Sequence, residues 1–104
     1  MYKIKLTSIA AESIRKLDQK TRTIIIKRIE ELSDNPLLLG KQLKGPLKDL
    51  RTIRAAGQRY RIIYRIIEDE IVVVINVGIR KDDSKKDIYA LMKKLIKTGL
   101  LDEE

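Results

Sequence analysis

The chain has 104 residues, 43 % of them hydrophobic, which suits one small domain with a single core and excludes a disordered tail. Lys plus Arg number 23 against 15 Asp plus Glu, a formal net charge of +8 that favours a polyanionic or acidic partner. The sequence has no Cys and no His. That excludes a disulfide scaffold, the usual zinc sites, thiol nucleophiles and His-based triads.

With four Tyr and no Phe or Trp, the core has to be aliphatic. The opening residues MYKIKLTS lack the apolar run of a signal peptide. No apolar run approaches the roughly 18 residues that span a bilayer. The expectation is a soluble, cytoplasmic protein with no membrane partner.

YKIKLT, residues 2–7, alternates and predicts a short strand. Ser8 is the expected cap of a first helix, with Ala10, Ala11, Ile14 and Leu17 as its apolar stripe. A second helix starts near Thr21, where Ile25, Ile29 and Leu32 recur at i, i+4 and i+7. SDNP, residues 33–36, ends it, because proline disfavours helical geometry in the residue before it. Residues 37–47 read as a loop.

From Leu50 the period becomes 2. LRTIRA (50–55), QRYRIIYRII (58–67) and IVVVINVGIR (71–80) predict an antiparallel meander, with turns at AAG and at Glu68–Asp69–Glu70. The third strand is apolar on both faces, as a covered central strand is. Ser84 and Asp87 suggest a capping box for a last helix, whose stripe is Ile88, Leu91, Met92, Leu95 and Ile96. The order β-α-α-β-β-β-α implies an α+β domain over residues 1–98, and 99–104 a short charged tail. The helical hairpin should cover one sheet face and leave the other partly open.

The chemistry available is narrow. The scattered glycines form no phosphate loop. Asp82 and Asp83 suit a hard cation only weakly, and solvated loop charge is the simpler reading, so neither a metal nor a cofactor is expected. What converges is positive charge. In residues 58–67 Tyr60, Ile62, Tyr64 and Ile66 point one way, while Arg59, Arg61, Ile63 and Arg65 point the other.

Arg51 and Arg54 lie on the preceding strand, and Arg80 and Lys81 end the following one. Such arginines can bracket a phosphate with bidentate donors. Alternation does not let Arg51 and Arg54 share a face without a bulge, and Arg54 is preferred. Tyr89, in the first turn of the last helix, has two readings: an amphipathic boundary residue, or a stacking or acid/base group reaching the basic cleft.

The segments LKGPLKDLRTIRAAGQRYRIIYRI (43–66) and INVGIRK (75–81), with the downstream Tyr89, resemble the RelE/ParE toxin superfamily of type II toxin–antitoxin systems. The resemblance runs from the first strand to the last helix. It implies a compact fold similar to microbial ribonucleases. In the RelE branch it further implies a ribosome-dependent mRNA endonuclease, cutting in the A site by metal-free attack of a 2′-hydroxyl and so inhibiting translation.

On that resemblance Arg61, Arg80 and Tyr89 are catalytic, joined by Arg54. Arg51, Arg59, Arg65, Lys44, Lys48 and Lys81 are substrate-binding. The branch carries two lysines on the strand before the glycine turn, where this chain has Arg51, Thr52 and Arg54, so no general base is identified. The implied partners are the ribosome, mRNA and a cognate antitoxin with an acidic toxin-binding segment, DNA being met only through that antitoxin. The alternative is a ParE-like poison of gyrase without nuclease activity. A non-toxic RNA-binding module fits less well, because exposed aromatics do not interleave with the basic residues.

Overall fold

The computed structural model describes residues 1–57 and 59–79. In chain order these form β1 (Lys3–Leu6), α1 (Ser8–Arg15), α2 (Gln19–Leu32), α3 (Pro36–Leu39), β2 (Lys41–Gln42), a 3-10 turn (Gly45–Leu47), β3 (Arg51–Ala55), β4 (Tyr60–Ile67) and β5 (Ile71–Ile79). The α+β architecture and the meander match the expectation. Arg80, Lys81, Tyr89, the expected last helix and the 99–104 tail lie outside the described residues.

Thr7, not Ser8, caps α1. Its extended backbone lets Oγ1 accept from the Ala10 N–H at 3.1 Å, while its own hydroxyl donates to the Ile75 carbonyl at 2.6 Å. One side chain therefore both starts the helix and ties it to β5. Arg22 braces the other end of α1 by donating to the carbonyls of Ile14, Arg15 and Leu17, in and just past its last turn. Ile25, Ile29 and Leu32 are buried, as their spacing requires.

Pro36 does separate α2 from the next segment, but it also opens α3 as its first residue, where its missing N–H costs nothing. The stretch expected as loop thus holds α3, β2 and the 3-10 turn.

The sheet has five strands in the order β1-β5-β4-β3-β2. β1 lies parallel to β5, from Lys3 opposite Ile71 to Leu6 opposite Val74. β5 is therefore paired on both sides, and Val72, Val73, Val74, Ile75 and Val77 are all buried, which explains its unbroken apolar run. Asn76 interrupts that run but is satisfied: its Oδ1 accepts from Ser13 Oγ at 3.2 Å and from the Val77 N–H at 2.7 Å.

Two apolar layers flank the sheet. On one face Ala10, Ile14, Ile25, Ile29 and Leu32 of the helices pack on Ile53, Ile62, Tyr64, Val72, Val74 and Val77. On the other, Leu47 and Leu50 cover Ile63, Val73 and Ile75. The second face is thus less open than the alternation suggested, because the segment before β3 folds over its lower half. Among the described residues no helix is long and apolar enough to cross a membrane.

Candidate nucleic-acid interface

The register decides which arginines meet. Across β3 and β4, Arg51 lies opposite Tyr64, Thr52 opposite Ile63, Ile53 opposite Ile62 and Arg54 opposite Arg61. Directly opposed residues share a face. Arg54 and Arg61 therefore stand side by side on the face away from the helices, with Thr52 one pleat below. Arg65 follows on β4, opposite Val73.

Facing like charges across an antiparallel pair weaken a sheet. The register thus sets two arginine side chains at one height on this face.

A bulge sets the other wall. Ile63 pairs with Asn76 while Tyr64 pairs with Val74, so Ile75 is an extra residue on β5. Without it, strict alternation from Val74 would send Gly78 to the helix face. With it, Gly78 lies opposite Arg61 on the site face. Among the described residues nothing lies within 4 Å of where a Gly78 side chain would begin. Arg61 thus has Arg54 opposite it on β3 and the backbone of Gly78 opposite it on β5, on the face that also carries Ile63 and Ile75.

Of the residues singled out from the sequence, the structure brings Arg54, Arg61 and Arg65 onto one face. Arg59 is exposed in the β3–β4 turn, where Ala56 and Gly57 take positive φ of 53° and 64°. Lys44 and Lys48 are exposed on the segment that folds over this face.

Arg51 lies on the opposite face from Arg54 and Arg61. No bulge interrupts β3, so it faces the helices, and its guanidinium donates to the carbonyls of Leu37 at 2.8 Å and Gly40 at 3.0 Å. It holds the α3–β2 corner. Tyr64, fully buried beside it, donates to the Pro36 carbonyl at 2.6 Å. Burial pushes its phenol above the ordinary value of 10.0, with Arg51 pulling the other way.

Arg28 is a further structural arginine, donating through Nε to the Arg54 carbonyl at 3.0 Å and bridging to Glu31 at 2.6 Å. A cleft of about 520 Å³ opens between α2 and the β3–β4 turn, lined by Ile24, Lys27, Arg28 and Glu31, with Arg54 at its border.

Sequence reasoning missed two residues on the site face. Thr52 is half-buried there, and Lys41 of β2 lies opposite it. The apparent loop hid the second, since only the strand pairing assigns Lys41 a face. Among the described residues no group of three or more acidic side chains is placed to hold a metal ion.

The fold recurs in known proteins. Escherichia coli strain K12 mRNA interferase toxin RelE is 29 % identical over 82 residues, 78 % of this chain and 82 % of that protein. The toxin–antitoxin complex RelBE2 of Mycobacterium tuberculosis contains a chain of similar fold, with a TM-score of 0.69 and 28 % identity over 76 % of this chain and 98 % of that one. The intact E. coli RelBE toxin–antitoxin complex gives a TM-score of 0.67 and 27 % identity over 78 % and 99 %. The family model for the ParE toxin of the type II toxin–antitoxin system parDE matches residues 4–84. With that span covering β1 to the end of the described sheet, the chain belongs to the ParE toxin family, within the RelE/ParE superfamily of type II toxin–antitoxin systems, and resembles its RelE branch.

Proposed function

We propose that this toxin is a ribosome-dependent mRNA endonuclease. The observation that carries the reading is the opposed pair Arg54–Arg61 beside the bare backbone of Gly78. A phosphodiester seated there has its non-bridging oxygens within reach of two permanently charged guanidiniums.

In the reaction the 2′-oxygen bonds to the adjacent phosphorus and the bond to the 5′-oxygen breaks. The products are a 2′,3′-cyclic phosphate and a 5′-hydroxyl. Charge builds on the non-bridging oxygens in the transition state, and fixed guanidiniums stabilise it more there than in the ground state. Arginine is too weak an acid to serve as the base that takes the 2′-proton. Arg80 and Tyr89 complete the proposed catalytic set, Tyr89 as the proton-transfer group. Codon-bound mRNA on the ribosome would arrive in reactive geometry, which lowers what the protein must supply.

The partners proposed are the ribosome, mRNA and an antitoxin whose acidic segment covers the arginine face, drawn in by the net charge of +8. The ParE description of the matching family model favours one other reading, a protein target such as gyrase.

Primer extension on mRNA from a translating extract separates the two. Purified toxin should give codon-phased cuts, and Arg54→Ala and Arg61→Ala should each abolish them while the far-ultraviolet circular dichroism stays unchanged. Ongoing translation with no cuts would overturn the nuclease and leave the protein target.

A further inference from the structure

We propose that Lys41 is a second phosphate contact for the same RNA strand, and that Arg51 is the residue that positions it. The inference rests on the nuclease reading and extends it to how the substrate backbone is tracked.

Lys41 lies opposite Thr52, so it shares the face of Arg54 and Arg61. Leu43, two residues on, packs with Leu47 and Leu50 on that same face, which fixes the orientation of β2 independently. Lys41 is exposed. It sits diagonal to Arg54, a separation of about 7–8 Å between neighbouring strands. One phosphate on the Arg54–Arg61 pair therefore leaves the next one along an extended strand beside Lys41, with the Thr52 hydroxyl between them.

A lysine that serves only solubility needs no fixed backbone, yet β2 is held at each end. Arg51 grips the Gly40 carbonyl immediately before Lys41, and the Leu43 N–H donates to the Leu50 carbonyl at 2.9 Å just after it. Gln42 Nε2 donates to the Lys48 carbonyl at 2.7 Å. Gly40 itself lies so close to Tyr64 that it has no room for a side chain. The arginine on the buried side of β3 thus acts through two carbonyls to set a lysine on the exposed side.

The test uses the purified toxin and a fluorescein-labelled RNA dodecamer with 2′-O-methyl groups, which binds but cannot be cut. Affinity is measured across salt concentrations, where each single-strand phosphate contact contributes about 0.7 to the slope of log affinity on log salt. Lys41→Ala should reduce the slope by about 0.7 and weaken binding about fivefold at 0.1 M salt, while Lys41→Arg keeps both.

Arg51→Met, shown folded by circular dichroism, should lower the slope as Lys41→Ala does, and the double variant should fall no further. An unchanged slope in Lys41→Ala, beside a salt-dependent wild type, would sink this inference and leave the nuclease reading intact. A wild type whose binding ignores salt would instead sink the nucleic-acid reading itself.

Discussion

Gly40→Ala is a small substitution with a large expected cost. A methyl group there would lie 2.1 Å from the Tyr64 hydroxyl oxygen, 2.8 Å from Cζ and 2.9 Å from Cε1. Relaxed contacts between such atoms are about 3.5–4.0 Å, so the ring or the α3–β2 corner has to move by more than an ångström. The ring has little freedom, because Tyr64 is fully buried and its strand is paired on both sides.

Overpacking of this kind costs about 1–3 kcal/mol. Displacing the hydroxyl from the Pro36 carbonyl adds about 1 kcal/mol, the net value of a hydrogen bond. We expect about 3 kcal/mol in total, a large part of the roughly 5–15 kcal/mol of a small domain. Tyr64→Phe alone should cost about 1–2 kcal/mol.

In the double variant the closest contact is gone and the hydrogen bond is lost only once. It should therefore cost about 1 kcal/mol less than the sum of the singles. Urea unfolding followed by circular dichroism, with the midpoint shift read at constant slope, measures all three. Additivity within about 0.5 kcal/mol would refute the reasoning, since it would show that the corner relaxes away from the ring.

Two further outcomes concern buried hydroxyls. Thr7→Ala should lower stability by about 1–2 kcal/mol in the same urea assay, while Ser8→Ala changes it little, because only Thr7 caps α1 and donates to β5. Stability should also fall at alkaline pH. With the folded-state pKa of Tyr64 raised above 10.0, the unfolded chain ionises first; the phenol's contribution is complete below that value and is lost as pH rises through the folded pKa. The urea midpoint of the wild type should drop more steeply above about pH 10 than that of Tyr64→Phe, and parallel curves would contradict the burial argument.

Periodicity alone located the three meander strands, the α2 stripe and the separation of Arg61 and Arg65 from Tyr60 and Tyr64. It also required Arg51 and Arg54 to lie on opposite faces, as they do in the uninterrupted β3–β4 register. What it missed depends on contacts distant in sequence. The capping role falls to Thr7 because the Ile75 carbonyl, far along the chain, accepts its hydroxyl proton. β2 is only two residues long, too short for any period, and exists because β3 offers it an edge. Arginine is equally opaque from sequence: Arg22, Arg28 and Arg51 donate to backbone carbonyls that only the folded chain brings near.

The bulge at Ile75 is the least legible feature and the one on which the site most depends. It turns Gly78 toward Arg61, and that placement separates stability from function in a testable way. Glycine inside a strand is less stable than alanine by about 0.5–1 kcal/mol, and at Gly78 a methyl group meets none of the described residues within 4 Å. Gly78→Ala should therefore leave the urea midpoint unchanged or raise it. The same methyl stands opposite Arg61 on the site face, so codon-phased cleavage should fall, and Gly78→Val should lower it further without unfolding the sheet. Were cleavage intact in a stable Gly78→Val, the phosphate would not sit between Arg61 and β5, and the bulge would be a packing device only.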